Sequence, residues 1–187
     1  MVDVPLVQRD PAAKPPSFDE LAKLAFQAAL PQLIAAARQL YELAGGPCIV
    51  AVQTKAQVQD ALQAAGAMAQ EAPQDSSAPT TPLVVLAANA ARGRNFGRHC
   101  NAMVHMPLQQ GVPARRQLRG RLHRGPLRQI YYQTVIPRGT VLECLSRIYE
   151  RDDACAVHLE QLVRQALVLE RMRAEEEGQQ ATGPRTG

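Results

Sequence analysis

Residues 83–87 read LVVLA, five apolar residues in succession after the proline-rich stretch that ends at Pro82. A short apolar run next to turn-forming residues is typical of a strand that is covered on both faces of a parallel sheet. Three more runs have this character and predict three further strands: 48–52 (CIVAV), 102–106 (AMVHM) and 130–136 (IYYQTVI). The last is rich in aromatic and β-branched residues, which favour strands.

Helical patterns occupy the intervals between these strands. Ser17 and Glu20 have the spacing of a capping box and predict a helix that begins near Phe18. Apolar residues then recur at three- and four-residue steps as far as Tyr41, although Pro31 predicts a kink or a split. Further helices are predicted over 55–70, 112–123 and 140–173. Alternating strands and helices predict an α/β fold with a mostly parallel sheet flanked by helices.

The length of 187 residues suits one domain of ordinary size. Residues 1–16 contain four prolines and no periodic pattern, so we expect a disordered arm there. The folded domain is predicted over 17–173, and the acidic, glycine-containing residues 174–187 are expected to be a disordered tail. An apolar content of 46% excludes disorder of the whole chain.

Charge is distributed in three blocks. Residues 1–75 contain eight acidic and five basic side chains, and residues 143–187 contain nine acidic and six basic ones. Between Asp75 and Glu143 there is no acidic side chain, whereas ten arginines occur there: Arg92, Arg94, Arg98, Arg115, Arg116, Arg119, Arg121, Arg124, Arg128 and Arg138. Guanidinium groups bind phosphate oxygens in bidentate pairs, so this block predicts a phosphate-bearing partner.

Other signals restrict the class of protein. No run approaches the roughly 18 apolar residues of a membrane-spanning helix, and the first residues lack a secretory signal. We therefore expect an intracellular protein, nuclear or cytoplasmic, that is neither secreted nor bound to a membrane. The four cysteines and four histidines have no metal-ligand spacing, so no metal site is predicted.

The segment 117–124, QLRGRLHR, is the candidate for chemistry. If it is helical, Gln117, Arg121 and Arg124 fall on one face at i, i+4 and i+7. Gly120 would let another backbone or a phosphate approach closely. Ligands of parallel α/β folds sit at the carboxyl ends of the strands, where we expect segments 88–98 and 107–125. From spacing alone, a merely solvated basic face is an equally good interpretation.

This segment resembles the sixth motif of superfamily-two helicases, Q-x-x-G-R-x-x-R, and its G-R-x-H-R part is similar to Swi/Snf-type translocases. Residues 86–96, LAANAARGRNF, resemble the fifth motif, in which a strand end passes into a glycine-containing turn. Residues 139–143, GTVLE, resemble the family's G-T-V-E-E after its last strand. The three matches occur in the family's order and span roughly residues 47–150.

The resemblance implies a second RecA-like lobe, a three-layer α/β domain. In the family, ATP and Mg²⁺ bind in a cleft between two lobes, and the second lobe supplies arginine fingers. Carried over, Arg124 is the finger and Arg121 its partner at the phosphates. Residues that would bind ATP are Gln117, Gly120 and Gly93, and residues that would contact a DNA or RNA backbone are Ala91, Arg92, Arg94 and Asn95.

The chain also departs from the family. Ala87, Ala88 and Asn89 stand where a hydroxyl is usual, and the interval 53–82 is short, so the sheet is expected to lack one strand. No G-x-x-x-x-G-K-S/T loop and no acidic D-E-x-H box are present, so ATP and Mg²⁺ would be held mainly by a first lobe, in cis or in trans. Alone, the chain should not hydrolyse ATP. The alternative is a degenerate lobe that binds nucleic acid or a protein partner without catalysis.

Overall fold

The fold comes from a computed structural model that describes residues 2–3, 16–73, 77–91, 95–107, 111–123 and 129–151. Its elements follow one another along the chain as β1 (Val2–Asp3), α1 (Phe18–Ala44), β2 (Cys48–Val52), α2 (Lys55–Ala65), β3 (Ala69–Glu71), β4 (Leu83–Ala87), β5 (Ala102–His105), α3 (Gly111–Gly120), β6 (Tyr131–Thr134), β7 (Pro137–Arg138) and α4 (Val141–Arg151). The predicted alternation of strands and helices is confirmed.

Five of the strands form one parallel sheet in the order β3-β4-β2-β5-β6. The apolar run that begins at Cys48 is the central strand, where Val50 pairs with Val85 on one side and Val104 on the other. Every side chain of β2, β4 and β5 is buried. The predicted α/β fold with a parallel sheet covered on both faces is therefore confirmed. A separate parallel pair joins β1 to β7, so two residues of the arm predicted over 1–16 form a strand.

The two faces of the sheet are covered differently. On one face, apolar side chains of α1, α2 and α4 pack on Val50, Val85 and Val104. On the other, Leu118 and Leu122 of α3 and the turn after it pack with Phe96 and Cys100 against the sheet. The segment 95–100 and α3 thus share one layer.

Helix α1 begins where the capping box predicts. The Ser17 hydroxyl accepts the N–H of Glu20 at 3.3 Å, and the Glu20 carboxylate accepts the N–H of Ser17 at 2.7 Å. Pro31 does not split the helix, which is continuous over 27 residues. Because Pro31 lies on the exposed face while Ala29 and Leu33 are buried, the core holds both halves of the helix in place across the missing hydrogen bond.

The interval between β2 and β4 differs from its prediction. The helix expected over 55–70 ends at Ala65, and Ala69–Glu71 forms strand β3 beside β4. The resemblance led us to expect that a strand would be missing from this sheet. Ala, Gln and Glu are poor strand formers, so pairing with the buried Leu83–Val85 decides the conformation instead.

The chain after β6 forms a turn and then α4. Gly139 takes a positive φ of 64°, and its N–H donates to the Glu143 carboxylate at 2.7 Å. The Thr140 hydroxyl donates to the carbonyl of Pro137 at 2.8 Å. The predicted G-T-V-x-E segment therefore starts a helix, with Glu143 closing the turn through Gly139. The structure describes this helix as far as Arg151, and the rest of the prediction up to residue 173 lies outside the described residues.

Candidate functional site

The segment that resembles the fifth motif begins at the carboxyl end of β4. There the chain forms a 3₁₀ turn over Ala88–Ala91. Arg92, Gly93 and Arg94 lie outside the described residues. The chain is described again from Asn95, whose side-chain oxygen accepts the N–H of Gly97 at 3.2 Å.

The segment that resembles the sixth motif lies at the end of α3. The α-helix ends at Gly120, and residues 121–123 continue as a tighter turn. In this turn the N–H of Arg121 donates to the carbonyl of Leu118 at 3.1 Å, and the N–H of Leu122 donates to the carbonyl of Arg119 at 3.0 Å. These i to i+3 bonds give about three residues per turn instead of 3.6, so they change the i, i+4 alignment of Gln117 with Arg121 that a continuous α-helix would give.

The side chains of this segment divide by environment. Leu118 and Leu122 are each 2% exposed and anchor the segment to the sheet. Gln117 is exposed, and Arg121 is partly exposed. Among the described residues, none forms a hydrogen bond or an ion pair with the Arg121 guanidinium. Arg124, the predicted finger, lies outside the described residues.

Gly120 sits between these side chains at the end of α3. A Cβ added there would meet no atom within 4 Å. No neighbouring backbone among the described residues packs against Gly120. Its predicted contact with a phosphate stays a prediction.

The two motif-like segments meet directly. The N–H of Gly97 donates to the carbonyl of Arg121 at 3.1 Å. Beneath this bond Phe96, which is 8% exposed, packs in the same apolar cluster as Leu118 and Leu122. Segments that are more than twenty residues apart in sequence are thus joined by both backbone and core contacts.

A third element contacts this junction from the sheet. The Tyr132 hydroxyl on β6 donates to the carbonyl of Arg119 at 2.9 Å, and the Arg119 guanidinium lies 5.1 Å from the centre of the Tyr132 ring. The His123 ring lies 5.8 Å from the same ring. Burial raises the pKa of the Tyr132 phenol, and the nearby positive charge of Arg119 partly offsets that rise. The phenol is consequently a neutral hydrogen-bond donor near pH 7.

The position of the junction corrects one expectation. We expected both segments at the carboxyl ends of the strands, and the turn over Ala88–Ala91 is there. The junction instead lies beside the amino-terminal half of β6. There the backbone N–H of Tyr131 donates to the carbonyl of Asn101, and the side-chain hydroxyl of Tyr132 donates to the carbonyl of Arg119. A helix that connects two parallel strands runs back antiparallel to them, so the end of α3 reaches the amino side of the sheet.

Sequence reasoning missed Tyr132 and Gly97. Tyr132 was assigned to a strand by its β propensity, and its contacts with the end of α3 span a stretch of chain that no local pattern describes. Gly97 follows the fifth-motif match and carries no side chain that would have marked it. The partial signal was the alternation of Tyr131 and Tyr132, which places the two rings on opposite faces of β6.

Comparison with solved structures shows a likeness in fold. The crystal structure of the C-terminal part of the Fun30 ATPase domain has a similar fold, with a TM-score of 0.58 over 79% of this chain and 14% sequence identity. The fold is RecA-like. The aligned region covers 56% of that structure, so this chain corresponds to little more than half of it. No family model matches the sequence, and no curated protein matches it.

Two further findings concern ligands and membranes. Within the described ranges, no three His, Cys, Asp or Glu side chains are grouped closely enough to hold a metal ion. None of the described helices combines the length and the apolar character needed to cross a membrane.

Proposed function

We propose that this chain is the C-terminal RecA-like lobe of an ATP-dependent nucleic-acid helicase or translocase. The observation that carries the proposal is the bond from Gly97 to Arg121, which joins the segments that resemble the fifth and sixth motifs. A RecA-like fold shared with the C-terminal part of the Fun30 ATPase domain supports it. In a motor of this kind, the segment that contacts nucleic acid must communicate with the segment that contacts ATP, and a shared hydrogen bond provides a direct physical link.

The role proposed for the arginines is electrostatic. During phosphoryl transfer, negative charge is spread over the equatorial oxygens of the transferred group, and a positioned guanidinium stabilises it. Gln117 is exposed and none of the described residues pairs with the Arg121 guanidinium, which supports a role for these side chains in binding a phosphate-bearing ligand. Arg124 would act as the finger. Mg²⁺ would require carboxylate ligands, which the stretch from residue 76 to 142 does not contain, so a first lobe would hold the metal.

The role proposed for the fifth-motif segment is contact with a nucleic-acid backbone. Arg92 and Arg94 flank Gly93 in an acid-free stretch that follows the strand end at Ala87. Charged contacts to phosphate are independent of base sequence and position the strand. Asn95 uses its side-chain oxygen to fix Gly97, which leaves its amide N–H group for a phosphate.

The decisive experiment pairs this chain with the phosphate-loop lobe of a Swi/Snf-type ATPase and measures ATP hydrolysis with and without duplex DNA. We expect DNA-stimulated turnover that falls by about 10³-fold or more in Arg124→Ala, the scale of a lost arginine finger. DNA affinity should be kept in that variant. Arg38→Ala, on the exposed face of α1, is the matched control and should leave turnover unchanged.

Turnover that persists in Arg124→Ala would remove Arg124 from the mechanism. The alternative function, a degenerate lobe that binds without catalysis, is favoured by one observation. β4 leads directly into Ala88 and Asn89, so the hydroxyl usual at this point is absent and one coupling contact is lost. DNA binding by the paired lobes without stimulated turnover would select this alternative.

A further inference from the structure

We propose that Tyr132 is a positioning residue that fixes the turn carrying Arg121 and, through it, the adjoining segment 95–97. The inference deepens the proposed function, on which the role of Arg121 itself rests. The contacts of Tyr132 do not depend on that role. They are a hydrogen bond, a cation–π contact and a ring contact, all made to residues 119–123.

The need for such a residue follows from the end of α3. The last four carbonyls of a helix lack partners within the helix, and each must be satisfied elsewhere. Here the carbonyl of Leu118 accepts from Arg121, and that of Arg119 accepts from both Leu122 and the Tyr132 hydroxyl. Among the described residues, the turn is therefore hydrogen-bonded both to itself and, through the Tyr132 hydroxyl, to the sheet.

The ring of Tyr132 adds a second restraint. The Arg119 guanidinium lies over it at 5.1 Å, and its buried Nε has no hydrogen-bond partner among the described residues. The aromatic face thus stabilises this partly buried guanidinium. On the other side of the turn, the carbonyl of Arg121 accepts the N–H of Gly97. Contacts therefore run without a break from Tyr132 to the turn at 119–123 and from that turn to Gly97. Removing contacts of Tyr132 should therefore weaken the hydrogen bond between Gly97 and Arg121.

The test is amide hydrogen exchange at Gly97 in the full chain, measured by NMR. Tyr132→Phe removes the hydroxyl and keeps the ring, and Tyr132→Leu removes both. We expect Tyr132→Phe to accelerate exchange of the Gly97 amide by about 3- to 10-fold, the scale of one hydrogen bond. The reference is the Ala72 amide, which donates to Val85 at 2.9 Å and should not change.

A matched control is the neighbouring residue on the same strand. Tyr131 packs on the opposite face with the α1 core, so Tyr131→Phe should leave Gly97 exchange as in the unmodified chain. If Tyr132 had only a structural role, its substitution would accelerate amide exchange at both Ala72 and Gly97 through global unfolding. If Tyr132 positions the turn, exchange accelerates at Gly97 alone.

Unchanged Gly97 exchange in Tyr132→Phe would overturn the proposal, as would an equal change in Tyr131→Phe. If Tyr132→Leu fails to fold, the Phe variant still decides the question. The exchange measurement needs no ligand, so a negative result leaves the ATPase proposal intact. Conversely, the paired lobes could show no ATP turnover while Tyr132→Phe still accelerates exchange of the Gly97 amide. In that case the ATPase proposal fails and the positioning role of Tyr132 stands.

Discussion

Asn101 lies where three segments of the chain meet, at the amino ends of the central strands. Its amide group donates to the carbonyl of Ala44 at 3.1 Å and to that of Gln129 at 3.4 Å. It is 7% exposed, and a Cβ on Gly46 would come within 3.1 Å of its side-chain oxygen. One polar side chain therefore ties the end of α1 to the starts of β5 and β6.

Asn101→Ala should lower the free energy of unfolding by about 0.5–1.5 kcal/mol, because the carbonyls of Ala44 and Gln129 lose the hydrogen bonds that the Asn101 amide donates. Urea denaturation of the variant measures this loss. Asn89→Ala, at an exposed position after β4, is the control and should change stability by less than about 0.5 kcal/mol. Equal midpoints for the two variants would show that Asn101 does not tie the segments together.

Helix α1 shows that burial on one face can override a helix-breaking residue. The proline at position 31 has no N–H to donate to the carbonyl of Gln27, yet both residues are exposed and water can reach that carbonyl. The buried stripe that includes Leu33 and Ile34 continues on either side. The helix therefore retains an energetic defect that packing outweighs.

Pro31→Ala should stabilise the protein by about 2 kcal/mol, because alanine restores the hydrogen bond and is favoured by about 3 kcal/mol in helix interiors. A gain of unfolded-state entropy opposes this by up to about 1 kcal/mol. Thermal and urea unfolding would report the difference. Pro79→Ala, in the loop before β4, gains no helical bond and should not stabilise. A destabilised Pro31→Ala would mean that the proline shapes the packing of α1.

The elements also show what a sequence can predict. Strands β2 and β4 match their predicted bounds because all five side chains of each are buried and apolar. Strand β3 was missed because Ala69–Glu71 has no strand propensity, and its conformation depends on a neighbour fourteen residues away. The junction of Gly97 with Arg121 was not predicted, because no local pattern fixes which turn of α3 meets which loop.

The whole molecule is electrically polarised, and this predicts how it binds. The ten arginines between Asp75 and Glu143 lie between two segments with an excess of acidic residues. Binding to DNA should weaken as salt rises, with each contacted phosphate contributing about −0.9 to the slope of log affinity against log salt.

Fluorescence anisotropy of a labelled DNA duplex at several salt concentrations measures this slope. The double variant Arg92→Ala and Arg94→Ala should reduce its magnitude by about 2, one contact for each arginine. Arg38→Ala is the control and should leave it unchanged. An affinity indifferent to salt would contradict phosphate contact by this part of the chain.

The order of the sheet has a consequence for how the chain acquires its structure during synthesis. The central strand at 48–52 pairs with 83–87 and 102–105, and both partners leave the ribosome after it. Each pairing must close a long loop before any strand contact forms. Because loop closure costs chain entropy, we expect these pairings to form slowly. A nascent chain that ends before residue 102 therefore leaves one flank of its central strand unpaired, and we expect chaperones to matter most during this interval.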